Sequence, residues 1–95
     1  FIDSSDCILC GNLISGVTQK AAAVSITRGH RFNITNNSIL DSDGVGLLLE
    51  NVTASLISDN LIRDDRPTGK KSKEPSLKIV GGTDNQIGSN FKGNP

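Results

Sequence analysis

Ninety-five residues leave room for one domain, and a chain this short buries proportionally little surface. With no Met, Trp or Tyr and only three Phe, it cannot build its core on large aromatic side chains. Ten Lys and Arg balance ten Asp and Glu, so no net field draws the chain to nucleic acid or to an anionic membrane.

The sequence opens at Phe1 without an initiator Met, a basic segment or an apolar signal-like run. A fragment or processed product is expected, with any signal peptide outside it. No stretch reaches the apolar length needed to span a bilayer.

In chain order, the first predicted strand is already under way at Phe1, and Cys7-x-Leu9, Asn12 and Ile14 follow it. The next coil reads Val24-x-Ile26, Phe32-x-Ile34, Asn37, Ile39. The third reads Leu47-x-Leu49, Ile57, Asn60, Ile62, and the fourth Leu77-x-Ile79, Ile87, Asn90. Taking the four Asn as anchors, an apolar residue stands three positions before each, and another two positions after the first three. Ile26, Leu49 and Ile79 lie eleven positions before the last three anchors, and the same offset from Asn12 reaches Phe1. The anchors are 25, 23 and 30 residues apart, so length varies in one connection only, the one after the third apolar column.

Alternation at period two marks strands with one face inward. Gly29, Gly44, Gly46, Gly81 and Gly82 stand near the strand ends, where sharp turns are expected. Three short strands per coil, stacked about 4.8 Å apart, predict an all-β, single-stranded parallel β-helix of about four coils. It should be right-handed by the crossover rule. The Asn12, Asn37, Asn60 and Asn90 column is expected to form a ladder of side-chain bonds from coil to coil. Phe32-x-Ile34-x-x-Asn37-x-Ile39 also fits the centre of a leucine-rich repeat. That fold needs a helix or an extended arc where Ala23-Val24-Ser25-Ile26-Thr27 reads as another strand, and it needs Leu to dominate, so the β-helix is preferred.

Gly46-Leu47-Leu48-Leu49-Glu50-Asn51 followed by Ile57-Ser58-Asp59-Asn60-Leu61-Ile62, together with Phe32 to Ile39, resembles the right-handed β-helix repeat of the pectate-lyase-like superfamily. The resemblance covers nearly the whole chain and is specific for architecture. It implies an extracellular or periplasmic protein acting on or binding polysaccharide, with calcium possible in the parent protein and no cofactor in these coils. The superfamily includes lyases, glycoside hydrolases, epimerases and tailspikes.

At the C-terminal end Lys92 occupies the column of Ile14, Ile39 and Ile62, so the solenoid is expected to stop at Phe91-Lys92-Gly93-Asn94-Pro95, with Phe91 folding over the last coil. No cap marks the N-terminal end. Further coils are expected before Phe1, and self-association through that open end is expected of the isolated piece.

Several groups are candidates for chemistry. The insertion 64–75 is basic after its first two residues, and Lys70, Lys71 and Lys73 suit an anionic polysaccharide, although a solvated loop is the plainer reading. Asp41 and Asp64 fall at equivalent places in successive coils, as do Asp43 and Arg66. Stacked carboxylates can share a proton, hold a cation or act as an acid and base pair, unless Arg63 and Arg66 neutralise them. The outward face of the first strand offers Ser25, Thr27, Leu48, Glu50, Lys78 and Val80, of which Glu50 and Lys78 are ionisable. The substrate-binding candidates are therefore Glu50, Lys78, Asp41, Asp64, Arg66, Lys70 and Lys71. With no Tyr or Trp to form a sugar-stacking platform, the fragment itself is expected to be non-catalytic.

His30 reads as an exposed turn residue without ligand-type partners at metal spacing. Cys7 and Cys10 point to opposite faces of one strand and make a poor disulfide, though Cys10 can cross-link two chains under oxidation. Asn33-Ile34-Thr35, Asn36-Asn37-Ser38 and Asn51-Val52-Thr53 match the glycosylation pattern at a frequency expected by chance in so Asn-rich a chain. Two classes of function remain: a section of a carbohydrate-active β-helix, or a structural, adhesin-like or tailspike-like solenoid.

Overall fold

A computed structural model describes residues 1–93. Eleven strands follow one another: β1 (Ser5–Cys10), β2 (Leu13–Ser15), β3 (Ala22–Thr27), β4 (His30–Thr35), β5 (Ser38–Leu40), β6 (Val45–Glu50), β7 (Leu56–Ser58), β8 (Leu61–Arg63), β9 (Leu77–Val80), β10 (Gln86–Ile87) and β11 (Phe91–Lys92). They form three sheets, β3-β6-β9, β1-β4-β7-β10 and β2-β5-β8-β11. Every strand pair is parallel. The last three coils contribute one strand to each sheet, the first joins the β3-β6-β9 sheet only through the bridge between Ile2 and Thr27, and this is a parallel β-helix.

The register follows the anchor spacings. Leu9 pairs with Ile34, Ile34 with Ile57, and Ile57 with Ile87. Ile26 pairs with Leu49 and Leu49 with Ile79. The bridge between Ile2 and Thr27 puts Phe1 opposite Ile26, inside the first coil's strand. Inward columns from the three sheets meet on the axis. Ile26, Ile34, Leu47, Leu49, Ile57, Ile39 and Ile62 are fully or almost fully buried there, with Phe32 filling the second coil. Burial is complete in the two central coils, because each has a neighbour above and below. In the fourth coil Ile79 and Ile87 remain about two-fifths exposed (43% and 41%). At the other end Phe1 sets its ring edge-on to Phe32, with centroids 5.4 Å apart.

The sharp turns are made differently from expectation. Gly81 and Gly82 have positive φ, but Gly29, Gly44 and Gly46 do not. The left-handed positions stack instead as columns made mostly of polar residues, Asp3, Arg28 and Asn51 leading to Gly81, and Asp6, Arg31 and Ala54 leading to Asp84. Asn and Asp tolerate this conformation because a short polar side chain bonds locally, whereas Arg and Ala must be held there by the surrounding ladder. Gly46 is required for space. A Cβ there would stand 2.4 Å from Ile62 Cγ2 and 2.7 Å from the Ser76 carbonyl oxygen. Gly46→Ala is expected to cost about 2 kcal/mol by overpacking. Gly69→Ala, where nothing lies within 4 Å, should leave the urea midpoint unchanged. Equal midpoints for the two variants would remove the steric account.

Phe91 does not fold over the last coil. It pairs with Leu61 on the outer side of its sheet and is 64% exposed, with the Arg63 guanidinium 4.6 Å from the ring centroid. An alternating strand forces this, because Lys92 takes the inward register opposite Ile62 and its neighbour must point out. Asn94 and Pro95, the end of the expected stop, lie outside the described residues.

Candidate functional site

The turn between the second and third sheets carries the Asn column. Asn37 Oδ1 accepts from the backbone N–H and the side-chain amide of Asn12, at 3.1 Å each. Asn60 Oδ1 accepts the same pair from Asn37 at 3.0 Å, and Asn90 Oδ1 accepts it from Asn60 at 3.0 and 2.9 Å. The amides of Asn37 and Asn60 also donate to the carbonyls of Leu9 and Ile34. Buried backbone groups at this corner are thereby satisfied by one residue type.

A second, shorter ladder was not legible from hydrophobic spacing. Ser55 Oγ accepts from Phe32 N–H, Asn85 Oδ1 accepts from Ser55 N–H, and the Asn85 amide donates to the Val52 carbonyl. Its signal in the sequence is that Ser55 and Asn85 stand two positions before Ile57 and Ile87, where Phe32 stands before Ile34.

The connection from the third sheet back to the first holds most of the candidate residues. Arg66 reaches Asp64 with Nε at 2.8 Å and NH2 at 2.7 Å, Asp43 with NH1 at 2.9 Å, and the Ser42 carbonyl at 2.7 Å. Asp64 is buried and also accepts from the Ser72 N–H at 2.6 Å. Ser72 Oγ donates to the Gly44 carbonyl, so the insertion is pinned to the coil before it. The Arg66 guanidinium holds the Asp64 carboxyl well below the usual carboxylate range, opposed by burial and aided by the N–H groups of Ser72 and Arg66.

Asp41 and Asp64 therefore do not share a proton. Asp64 is ionised and fully bonded, and Asp41 Oδ1 accepts from the Asp65 N–H. Arg63 pairs with Asp65 at 2.7 Å rather than with Asp64. Beneath the insertion, Ile39, Ser42, Gly46, Asp64 and Ser76 enclose about 10 Å³, room for about one water. Asp64 and Arg66 thus act as structural ties. Lys70 and Lys71 lie exposed at the insertion's outer turn, where the Lys70 N–H returns to the Pro67 carbonyl.

The outer face of the first sheet carries an open groove of about 350 Å³. Leu48 and Lys78, paired in register on β6 and β9, line it, and Lys20, Asp43 and Glu74 enter from the connections. Lys20 was missed by sequence reasoning because it lies in a connection rather than on a strand. Asp43 is held below the usual range by Arg66 and by the Gln19 N–H. Glu50 sits on the same face but is not among the residues lining the groove.

The potential metal donors are scattered. His30 Nδ1 lies 2.9 Å from Thr53 Oγ1 on an exposed turn. Cys7 is half-buried against the core, its thiol donating to the Ser5 carbonyl at 3.3 Å, and Cys10 is exposed. Among the described residues no three His, Cys, Asp or Glu side chains converge.

No curated protein and no solved structure matches this chain. One family model, described as "Periplasmic copper-binding protein (NosD)", matches residues 1–94. Since that match covers almost the whole β-helix, the chain belongs to the NosD family.

Proposed function

We propose that this chain is a non-catalytic, ligand-binding section of a periplasmic β-helix protein, and that its ligand is an acidic polysaccharide lying along the outer face of the first sheet. The observation carrying this reading is the groove lined by Leu48 with Lys20 and Lys78, where Asp43, already held by Arg66, and Glu74 are the carboxylates. An aliphatic floor accepts the apolar face of a sugar ring, and the ammonium groups suit a uronate carboxylate. The family's periplasmic description agrees with the location implied by the pectate-lyase-like resemblance. Asp64, Asp43 and Asp65 are tied to arginines, which favours binding over acid and base chemistry.

Calorimetric titration of the protein with an acidic uronate oligosaccharide, against a neutral oligosaccharide of equal length, tests this. Binding of the acidic ligand alone is expected, weakening with added salt. Lys78→Glu and Lys20→Glu should each weaken it about tenfold or more, as expected for reversing a contacting charge. Equal binding of both oligosaccharides, or none of either, would favour the structural solenoid. The inter-coil pairs Arg28–Asp3 and Arg31–Asp6 speak for that alternative, since they tie coils together and none of the four residues lines the groove.

A further inference from the structure

The donor set does not fit the copper in the family's description, and we infer that these coils hold no copper ion of their own. Cu(I) selects convergent thiolate, thioether and imidazole donors, and Cu(II) prefers a tetragonal set of nitrogen and oxygen. A solenoid has a simple way to build either, which is to repeat one donor in the same column of adjacent coils about 4.8 Å apart. This chain does so with Asn and Ile but with none of its soft donors. Cys7 shares its column with Phe32 and Ser55, Cys10 with Thr35 and Ser58, and His30 with Ser5 and Thr53.

The cysteines cannot serve each other. Cys7 packs against the core while Cys10 lies on the exposed outer side of the same strand. There is no Met anywhere in the chain. His30 has one ring nitrogen engaged by Thr53, which leaves a single imidazole donor. The two carboxylates that precede Cys7 in the chain, Asp3 and Asp6, are held by Arg28 and Arg31, so copper would have to displace two guanidinium pairs to recruit them.

Two titrations of the purified chain test the inference. Cu(I) is added under reductant in competition with a chromogenic Cu(I) chelator, and Cu(II) is followed by equilibrium dialysis. A Cys7→Ser, Cys10→Ser, His30→Asn variant, shown by circular dichroism to be folded, runs in parallel. The expected result is that the chelator keeps the Cu(I), that dialysis retains no stoichiometric Cu(II), and that wild type and variant behave alike. Copper withheld from the chelator by the wild type would overturn the inference, whether one ion per chain or one bridging two chains. Its loss in the variant, with a thiolate-to-copper absorption band in the wild type, would then place the ion on these donors.

Discussion

Asn60→Ala is expected to lower the free energy of unfolding by about 4 kcal/mol, which for a domain of this size is a large share of the total. Asn60 is fully buried, and its side chain answers three groups: the N–H and the amide of Asn37, and the carbonyl of Ile34. Alanine leaves the Asn37 N–H, one of the two Asn37 amide hydrogens and one lone pair of the Ile34 carbonyl unmet in a corner enclosed by the coils on either side, while the other amide hydrogen keeps the Leu9 carbonyl. Each unmet buried group costs roughly 1–3 kcal/mol, and the lower part of that range gives the figure above. Asn12 provides an internal comparison. It stands at the exposed end of the same ladder, where water can replace it, and Asn12→Ala should cost less than about 1 kcal/mol. Urea unfolding of the two variants decides the matter. Similar midpoints would mean that the ladder is decoration on a solenoid held by its apolar columns.

Much of this architecture was legible because a solenoid converts sequence spacing directly into spatial register. The pairing of Leu9 with Ile34 and Ile57 follows from their common distance to an Asn, and the position of Phe1 opposite Ile26 follows from the fixed offset. Phe91 is the exception: it is expected to fold over the last coil, whereas alternation turns it outward once Lys92 takes the inward column. What periodicity does not contain is the identity of hydrogen-bond partners at a turn. Ser55 and Asn85 differ chemically from Phe32 in the same column, so no repeated letter marked their ladder. Arg and Ala at positive φ carry no local signature either, since the neighbouring coils impose that conformation.

The groove was legible only in part, for a related reason. Lys78 and Leu48 belong to strands and fell on the outward face by counting. Lys20 and Glu74 reach the same groove from connections of different length, where counting from an anchor gives no direction. The insertion shows the converse case. Its lysines suggested a binding loop, whereas the residues at its start proved more informative, because they fix where the loop lies.

Asp64→Ala is the sharpest test of that fixing, with an expected loss of about 3 kcal/mol, as for removal of one partner from a buried pair. The variant strands the Ser72 N–H and frees half of the Arg66 guanidinium, leaving Asp43 as the remaining carboxylate partner. Because Arg66 serves both acids, the losses in Asp43→Ala and Asp64→Ala should be non-additive in the double variant. The pH dependence has a definite sign. The folded Asp64 carboxyl titrates below its unfolded value, so its contribution is complete above the unfolded Asp pKa of about 3.9. It is lost as pH falls from there through the folded value. The stability gap between wild type and Asp64→Ala should therefore be constant near neutrality and narrow progressively below about pH 4. Loss of the tie should also release the insertion locally, with trypsin cutting after Lys70, Lys71 and Lys73 faster in the variant than in the wild type, in buffer where both remain folded. A gap that stayed constant into acid, with unchanged proteolysis, would mean that Asp64 is not what holds the insertion against the coil.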